Sequence, residues 1–161
     1  MRRMRKTDRQ LPIEETLEIF DKAPYVTLSL IGCDGTTPYG VPLSIVRKDD
    51  KTFYFHCADE GEKLDCINSN STVWLSAVSK CSPAFEQEKM NFTEHYRSAM
   101  AMGTAEIVID RAEKIEALRL ICERFLPRYM NFFENAVERS LKRTTVVKIA
   151  LTDSPVGKCK A

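Results

Sequence analysis

His56, Gly61 and Lys63 stand close together in the run Phe53 to Leu64, and their types suit one task, holding an anion. Gly61-Glu62-Lys63 reads as the opening of a short helix, after a strand that ends in Phe55-His56-Cys57-Ala58. A helix N-terminus offers unpaired N–H groups and the positive end of a dipole. Gly61 removes side-chain bulk there, Lys63 adds a full charge, and Ser44 on the preceding strand could donate a hydroxyl. Such a corner can hold a phosphate. Spacing alone favours plainer readings, because GxK is a weak motif: Lys63 as a surface lysine on an amphipathic helix, and His56 as a structural histidine near the sheet end. His56 could equally be a hydrogen-bond donor to a ligand, a general acid or an axial metal ligand. His95, beside a long polar stretch, reads as a surface residue, with contact to a bound ligand as the alternative.

Rival chemistry is missing. The chain has no GxSxG, no Walker A motif and no GxGxxG. No pair of carboxylates stands out at a strand end. Cys57 adjoins His56, but neighbouring strand residues point to opposite faces, so the two make a poor nucleophile–base dyad. The six cysteines, Cys33, Cys57, Cys66, Cys81, Cys122 and Cys159, are scattered and form no CxxC pair. Structural zinc needs closely spaced ligand pairs, so no metal site is expected. Reduced thiols, packed as small apolar groups, are the expected state. If the protein is an enzyme, a bound cofactor would carry the chemistry.

The elements that must position these residues follow from periodicity and turn signals. Ile13 to Asp21 has helical spacing after Pro12, and Pro24 ends it. Tyr25 to Ile31 reads as a strand, and Asp34-Gly35 as a turn that folds it back. Gly40 to Arg47 alternates, turns at Asp49-Asp50, and leads into a strand over Thr52 to Ala58; these two strands are expected to pair. On the second, Phe53, Phe55 and Cys57 share one face, with Tyr54, His56 and Ala58 on the other. Asp59-x-x-Glu62 resembles a capping box for the helix carrying Leu64, Cys66 and Ile67. Ser71 to Val78 is a strand apolar on both faces. Lys80 to Glu94 is polar and contains Pro83, so it reads as a long binding loop or lid. Tyr96 to Asp110 is a long strand of small residues, including Ser98, Ala99, Ala101, Gly103, Thr104 and Ala105, which would let a ligand or a backbone come close. Asp110-x-x-Glu113 caps a main helix with a stripe of Ile115, Leu118, Cys122 and Phe125, stopped by Pro127. Tyr129 to Leu141 is a further short helix, Thr144 to Leu151 the final strand, and residues 152–161 a tail. About six strands with two or three helices make a mainly β single domain over 1–161, with a barrel wall covered outside by helices or a second subunit.

The chain has 161 residues, 43% of them hydrophobic, enough for a core. Lys+Arg 24 against Asp+Glu 23 leaves a formal net charge of +1, which argues for no nucleic-acid partner. Arg2, Arg3, Arg5, Lys6 and Arg9 crowd a basic arm over residues 1–12, with no aromatic residues among them, so a solvated arm is expected. No apolar run follows the arm and none is long enough to cross a bilayer, so a soluble, cytoplasmic protein with no membrane partner is expected.

The combination of MRRMRKTDRQLP, Asp34-Gly35, Pro38-Tyr39-Gly40-Val41-Pro42-Leu43, Phe53-Tyr54-Phe55-His56-Cys57-Ala58, Gly61-Glu62-Lys63-Leu64 and Gly103 to Val108 resembles the nitroimidazole-resistance (Nim) proteins. These belong to the pyridoxamine 5'-phosphate oxidase-like FMN-binding split barrels. The resemblance covers about residues 1 to 151 and implies a six-stranded, homodimeric split barrel with two FMN sites at the subunit interface. It implies that the backbone of Val41, Pro42, Leu43 and Ser44 runs along the flavin. His56, Cys57 and Ala58 would border the ribityl chain and phosphate, and Lys63 would pair with the phosphate. Tyr96, Arg97 and Ser98 would reach the flavin of the other subunit. The sequence departs from related ones at Tyr25 to Leu30, where a glycine followed by small residues is usual, and at Cys57, where serine is common.

The resemblance implies a flavin-dependent oxidoreductase, with FMN passing electrons from a nicotinamide donor to a small acceptor such as a nitroimidazole or nitroaromatic. FAD and haem are alternative cofactors. The alternative function is a flavin- or haem-binding carrier or sensor without turnover, with His56 as the candidate haem ligand. An unliganded dimerisation module is the third reading.

Overall fold

The computed structural model describes residues 4–160, so Arg2 and Arg3 of the basic arm lie outside the described residues. Pro12 precedes helix α1 (Ile13–Lys22), which buries Thr16, Leu17, Ile19 and Phe20 on one side. Strand β1 (Val26–Ile31) is joined to β2 (Pro38–Leu43) by a turn built around Asp34. The Asp34 carboxylate accepts from the Thr36 N–H at 2.9 Å and the Thr37 N–H at 2.8 Å, which closes the hairpin locally. Asp49 does the same for Lys51 and Thr52 between β3 (Val46–Arg47) and β4 (Thr52–Ala58). Helix α2 (Glu62–Ser69), β5 (Thr72–Glu86), β6 (Asn91–Ile107), helices α3 (Arg111–Phe125) and α4 (Phe133–Ser140), β7 (Thr144–Leu151) and β8 (Val156–Lys160) complete the order.

The strands form one antiparallel sheet of eight, in the order β2-β1-β5-β6-β7-β4-β3, with β8 pairing β6 beside that path. The fold is mainly β with a few helices, as the sequence indicates, but the described residues form eight strands rather than six. One extra strand comes from Gly40 to Arg47, which is not a single strand. The chain leaves the β1 edge after Leu43 and joins β4 only at Val46 and Arg47, so the expected pairing with β4 is confined to two residues. Inward alternation of Val41, Leu43 and Ile45 continues through the break, so periodicity does not reveal the change of partner.

The other extra strand is β8, which lies in the expected tail and pairs Tyr96 to Met100 of β6. It also anchors the basic arm: the Leu11 N–H donates to the Gly157 carbonyl at 3.0 Å, and Gln10 bridges to Lys158.

The expected loop from Lys80 to Glu94 is instead the outer part of a long β5–β6 hairpin, with Cys81 opposite Tyr96 and Glu86 opposite Asn91. A register shift between Val78 and Lys80 changes the phase, and the arm is largely solvated on both faces, so it carries no apolar alternation.

The inner face of the sheet encloses a core of Leu28, Phe55, Val73, Leu75, Ala101 and Ile149, closed by α1 and α2. Phe20 of α1 meets Phe53 of β4 edge-on, ring centroids 5.3 Å apart, a contact of about 0.5–1.5 kcal/mol beyond burial. A second core lies on the outer face, where Tyr54 and Val146 pack under Leu118, Ile121, Phe133 and Val137 of α3 and α4. Helices thus cover β4 and β7 outside, whereas Ser71 to Val78, the strand expected to be buried on both faces, alternates between buried and more open positions within this chain. The outer face of β5 and β6 is not so covered, and Val78 and Met100 are exposed there. At Gly103 the small residue serves a backbone approach: a Cβ there would stand 2.6 Å from the Ala150 carbonyl oxygen of β7.

Candidate functional site

Strand β4 delivers its end residues to two different places. Phe55 and Cys57 face the inner core, while His56 faces outward, so His56 and Lys63 are close in sequence but do not converge on one face. Lys63, half-buried on the first turn of α2, holds its ammonium 5.9 Å from the centre of the Phe55 ring. Its positive charge also acts on Cys57: burial pushes the Cys57 thiol up, and Lys63 draws it partly back. Among the described residues Lys63 has no carboxylate partner.

The start of α2 is open. Gly61 is the N-cap, with φ 132 and ψ 159, a conformation close to glycine-only, and a Cβ there would meet nothing within 4 Å. The capping box expected from Asp59 and Glu62 does not form, since no side chain caps this helix. The first-turn N–H groups therefore lack a side-chain acceptor, beside an unpaired lysine.

Val41 and Leu43 lean half-buried on the inner core, while Pro42 of β2 and Ser44, just beyond its end, are exposed. That strand is the end of the sheet order, and among the described residues it is bonded to β1 alone, which leaves its other backbone edge unpaired. Pro42, with no N–H, suits an edge strand. The break after Leu43 is fixed by a residue with no sequence signal for it. Arg124 of α3 donates to the Ile45 carbonyl at 2.6 Å, and to the Phe20 and Ala23 carbonyls at 2.7 and 3.0 Å. One guanidinium thus ties the end of α1 to the corner beside Ser44.

Tyr96, Arg97 and Ser98 lie on β6, separated from β2 by β5 and β1 within this chain. Arg97 pairs with Glu15 at 2.9 Å. The Arg9 guanidinium lies 3.5 Å from the Tyr96 hydroxyl, and the Lys158 ammonium 5.3 Å from its ring centre. Burial acts to raise the Tyr96 phenol, but Lys158 and Arg9 outweigh it and leave it below the ordinary value. His95 is half-buried opposite Ser82 of β5 rather than fully at the surface.

His56 opens onto a cavity of about 260 Å³ between the sheet and α3–α4, lined by Leu118, Cys122, Phe132, Phe133 and Thr144 among others. Although the imidazole is partly exposed, these neighbours strip its hydration and draw its pKa below the usual value. The shift favours the neutral imidazole. Neither this cavity nor Arg124 was legible in the sequence, because both arise from contacts between α3 and segments distant in the chain.

This curled antiparallel sheet, with α2 at the end of β4 and paired helices outside, is the pyridoxamine 5'-phosphate oxidase-like fold. Residues 12–157 match the model of the pyridoxamine 5'-phosphate oxidase family, and the chain belongs to that family. A candidate 5-nitroimidazole antibiotic resistance protein from Bacteroides thetaiotaomicron superposes with a TM-score of 0.76 at 20% identity, over 92% of this chain and 85% of that one. The Nim-like resemblance is thereby supported. The flavocytochrome Anf3 from Azotobacter vinelandii gives 0.78 at 20% identity, over 99% and 72% of the two chains. The FAD and haem binding protein from Mycobacterium smegmatis gives 0.80 at 21%, over 94% and 73%. At these identities the likeness is one of fold. No curated protein matches the sequence. Among the described residues no helix is long and apolar enough to cross a membrane.

Proposed function

We propose that this protein binds FMN and acts, as a homodimer, as an oxidoreductase that reduces a small acceptor such as a nitroimidazole or nitroaromatic. The observation that carries the reading is the unpaired Lys63 beside the uncapped start of α2, in a chain of this family. The residues present fit a flavin phosphate: a cation without a carboxylate partner, free N–H groups, and Gly61, which adds no bulk. Ser44, Cys57 and Ala58 would border the bound group there. His56 turns its side chain away, so its part in that corner falls to its backbone. Cys57 offers a weaker donor to phosphate than a serine would. The free edge of β2 at Val41, Pro42 and Leu43 would orient the ring system. Bound FMN would supply the electron transfer, while the protein supplies position and hydrogen bonds.

The homodimer reading rests on exposed apolar surface. Val78 and Met100 on the uncovered face, and Phe85, Met90 and Phe92 on the β5–β6 hairpin, would be covered by a second copy. That copy would bring its Tyr96, Arg97 and Ser98 towards the flavin. The test of turnover is to mix FMN-loaded protein with NADH or NADPH and a nitroaromatic. Consumption of the nicotinamide that depends on the acceptor is expected; none, with flavin bound, makes the protein a carrier.

A second reading has its own observation. His56 borders an apolar cavity that favours its neutral form, and it is the residue that would hold haem iron there. A flavin- or haem-binding carrier or sensor would then follow. Incubation with haem separates the two: a Soret band that disappears in His56→Ala selects the second reading, and a flavin spectrum alone selects the first.

A further inference from the structure

Cys33 and Cys66 are 33 residues apart in sequence, yet their sulfurs lie 3.6 Å from each other. Cys33 is exposed, in the turn between β1 and β2, whereas Cys66 is buried on the inner side of α2. A disulfide needs its sulfurs about 2.05 Å apart, so roughly 1.5 Å of approach separates the two thiols from a bond. The backbone of the turn is braced by Asp34, with the Gly32 N–H donating to the Thr37 carbonyl at 2.7 Å. With the turn so braced, bond formation requires the remaining approach to come from the Cys33 side chain and from α2. In the reduced state each thiol is the other's hydrogen-bond partner.

We infer that Cys33 and Cys66 form an oxidation-sensitive pair, in which a peroxide converts the two thiols to a disulfide that fastens α2 to the β1–β2 hairpin. The accessible Cys33 reacts first. Its thiolate attacks a peroxide oxygen, the O–O bond breaks, and a sulfenic acid and hydroxide result. The Cys66 sulfur then attacks the Cys33 sulfur, the S–O bond breaks and the S–S bond forms, and water leaves with the Cys66 proton. In sum two thiols and one hydrogen peroxide give one disulfide and two waters. Burial of Cys66 protects it from direct oxidation and makes it the resolving partner. The inference does not depend on the identity of any cofactor.

The experiment treats the reduced full-length chain with hydrogen peroxide, alkylates the remaining thiols, digests with trypsin and measures peptide masses. The expected product joins the peptide of residues 23–47 to that of residues 64–80, lighter by two hydrogens than their sum. Loss of two of the six titratable thiols should accompany it, with slower amide exchange in α2. Cys33→Ser, at an exposed position that the fold tolerates, should abolish the product and leave Cys66 reduced. Cys33 recovered as sulfinic or sulfonic acid, or joined to any cysteine other than Cys66, overturns the inference, and so does unchanged exchange in α2 after cross-linking.

Discussion

The Lys63 ammonium rides 5.9 Å from the centre of the Phe55 ring, on the face of β4 that Cys57 shares and His56 does not. Because Phe55 is fully buried, the lysine stem lies along apolar surface while its charge stays at the mouth of the corner. If this charge meets a flavin phosphate, Lys63→Ala removes a contact of about 1.5–3 kcal/mol. The Kd for FMN, followed by quenching of flavin fluorescence, should rise about tenfold to about a hundredfold. Lys63→Arg should retain most of the affinity.

Gly103→Ala probes the seam between β6 and β7. The added Cβ would stand 2.6 Å from a carbonyl oxygen, and backbone cannot yield as a flexible side chain can. Overpacking of this kind costs about 1–3 kcal/mol. In a chain of this size Tm should fall by roughly 2–4 °C per kcal/mol.

Asp34 gives the fold an acid-sensitive turn. Hydrogen bonds from Thr37 and Thr36 lower its carboxyl from the ordinary aspartate range to about 2. A depressed folded-state value means that the turn's contribution is present above the unfolded value of about 3.9. It is lost as pH falls towards about 2. Urea midpoints of Asp34→Ala should therefore lie below those of the parent at pH 5, with the gap narrowing as pH approaches about 2.

The hairpin tip tests the dimer. Phe92 is 86% exposed and stacks on Phe85 at 4.7 Å between ring centres. Phe92→Asp should leave the far-ultraviolet circular dichroism of the folded chain nearly unchanged but lower the mass measured by sedimentation from that of the proposed dimer to that of a monomer. A parent protein that sediments as a monomer would remove the interface from the account.

Sequence reading went furthest where each residue's surroundings are set locally or by two-sided burial. Thr52 to Ala58 and Thr144 to Leu151 are strands over the expected residues, because turn residues bound them and both faces are apolar. Alternation alone separates His56 from Cys57. It failed where pairing extends beyond the core: the Lys80 to Glu94 arm and β8 bond through backbone groups, which leave no apolar period. Arg124 was invisible for a related reason. Its partners are carbonyls of Phe20, Ala23 and Ile45, and a carbonyl looks the same in every residue.

The central claim, a flavin site at the Lys63 corner, is tested most directly by the visible absorption spectrum of the purified protein after incubation with FMN and removal of the excess. A retained flavin spectrum with one FMN per chain is expected, lost in Lys63→Ala at the same FMN concentration. A protein that stays colourless after incubation, or one whose flavin content Lys63→Ala leaves unchanged, would contradict it.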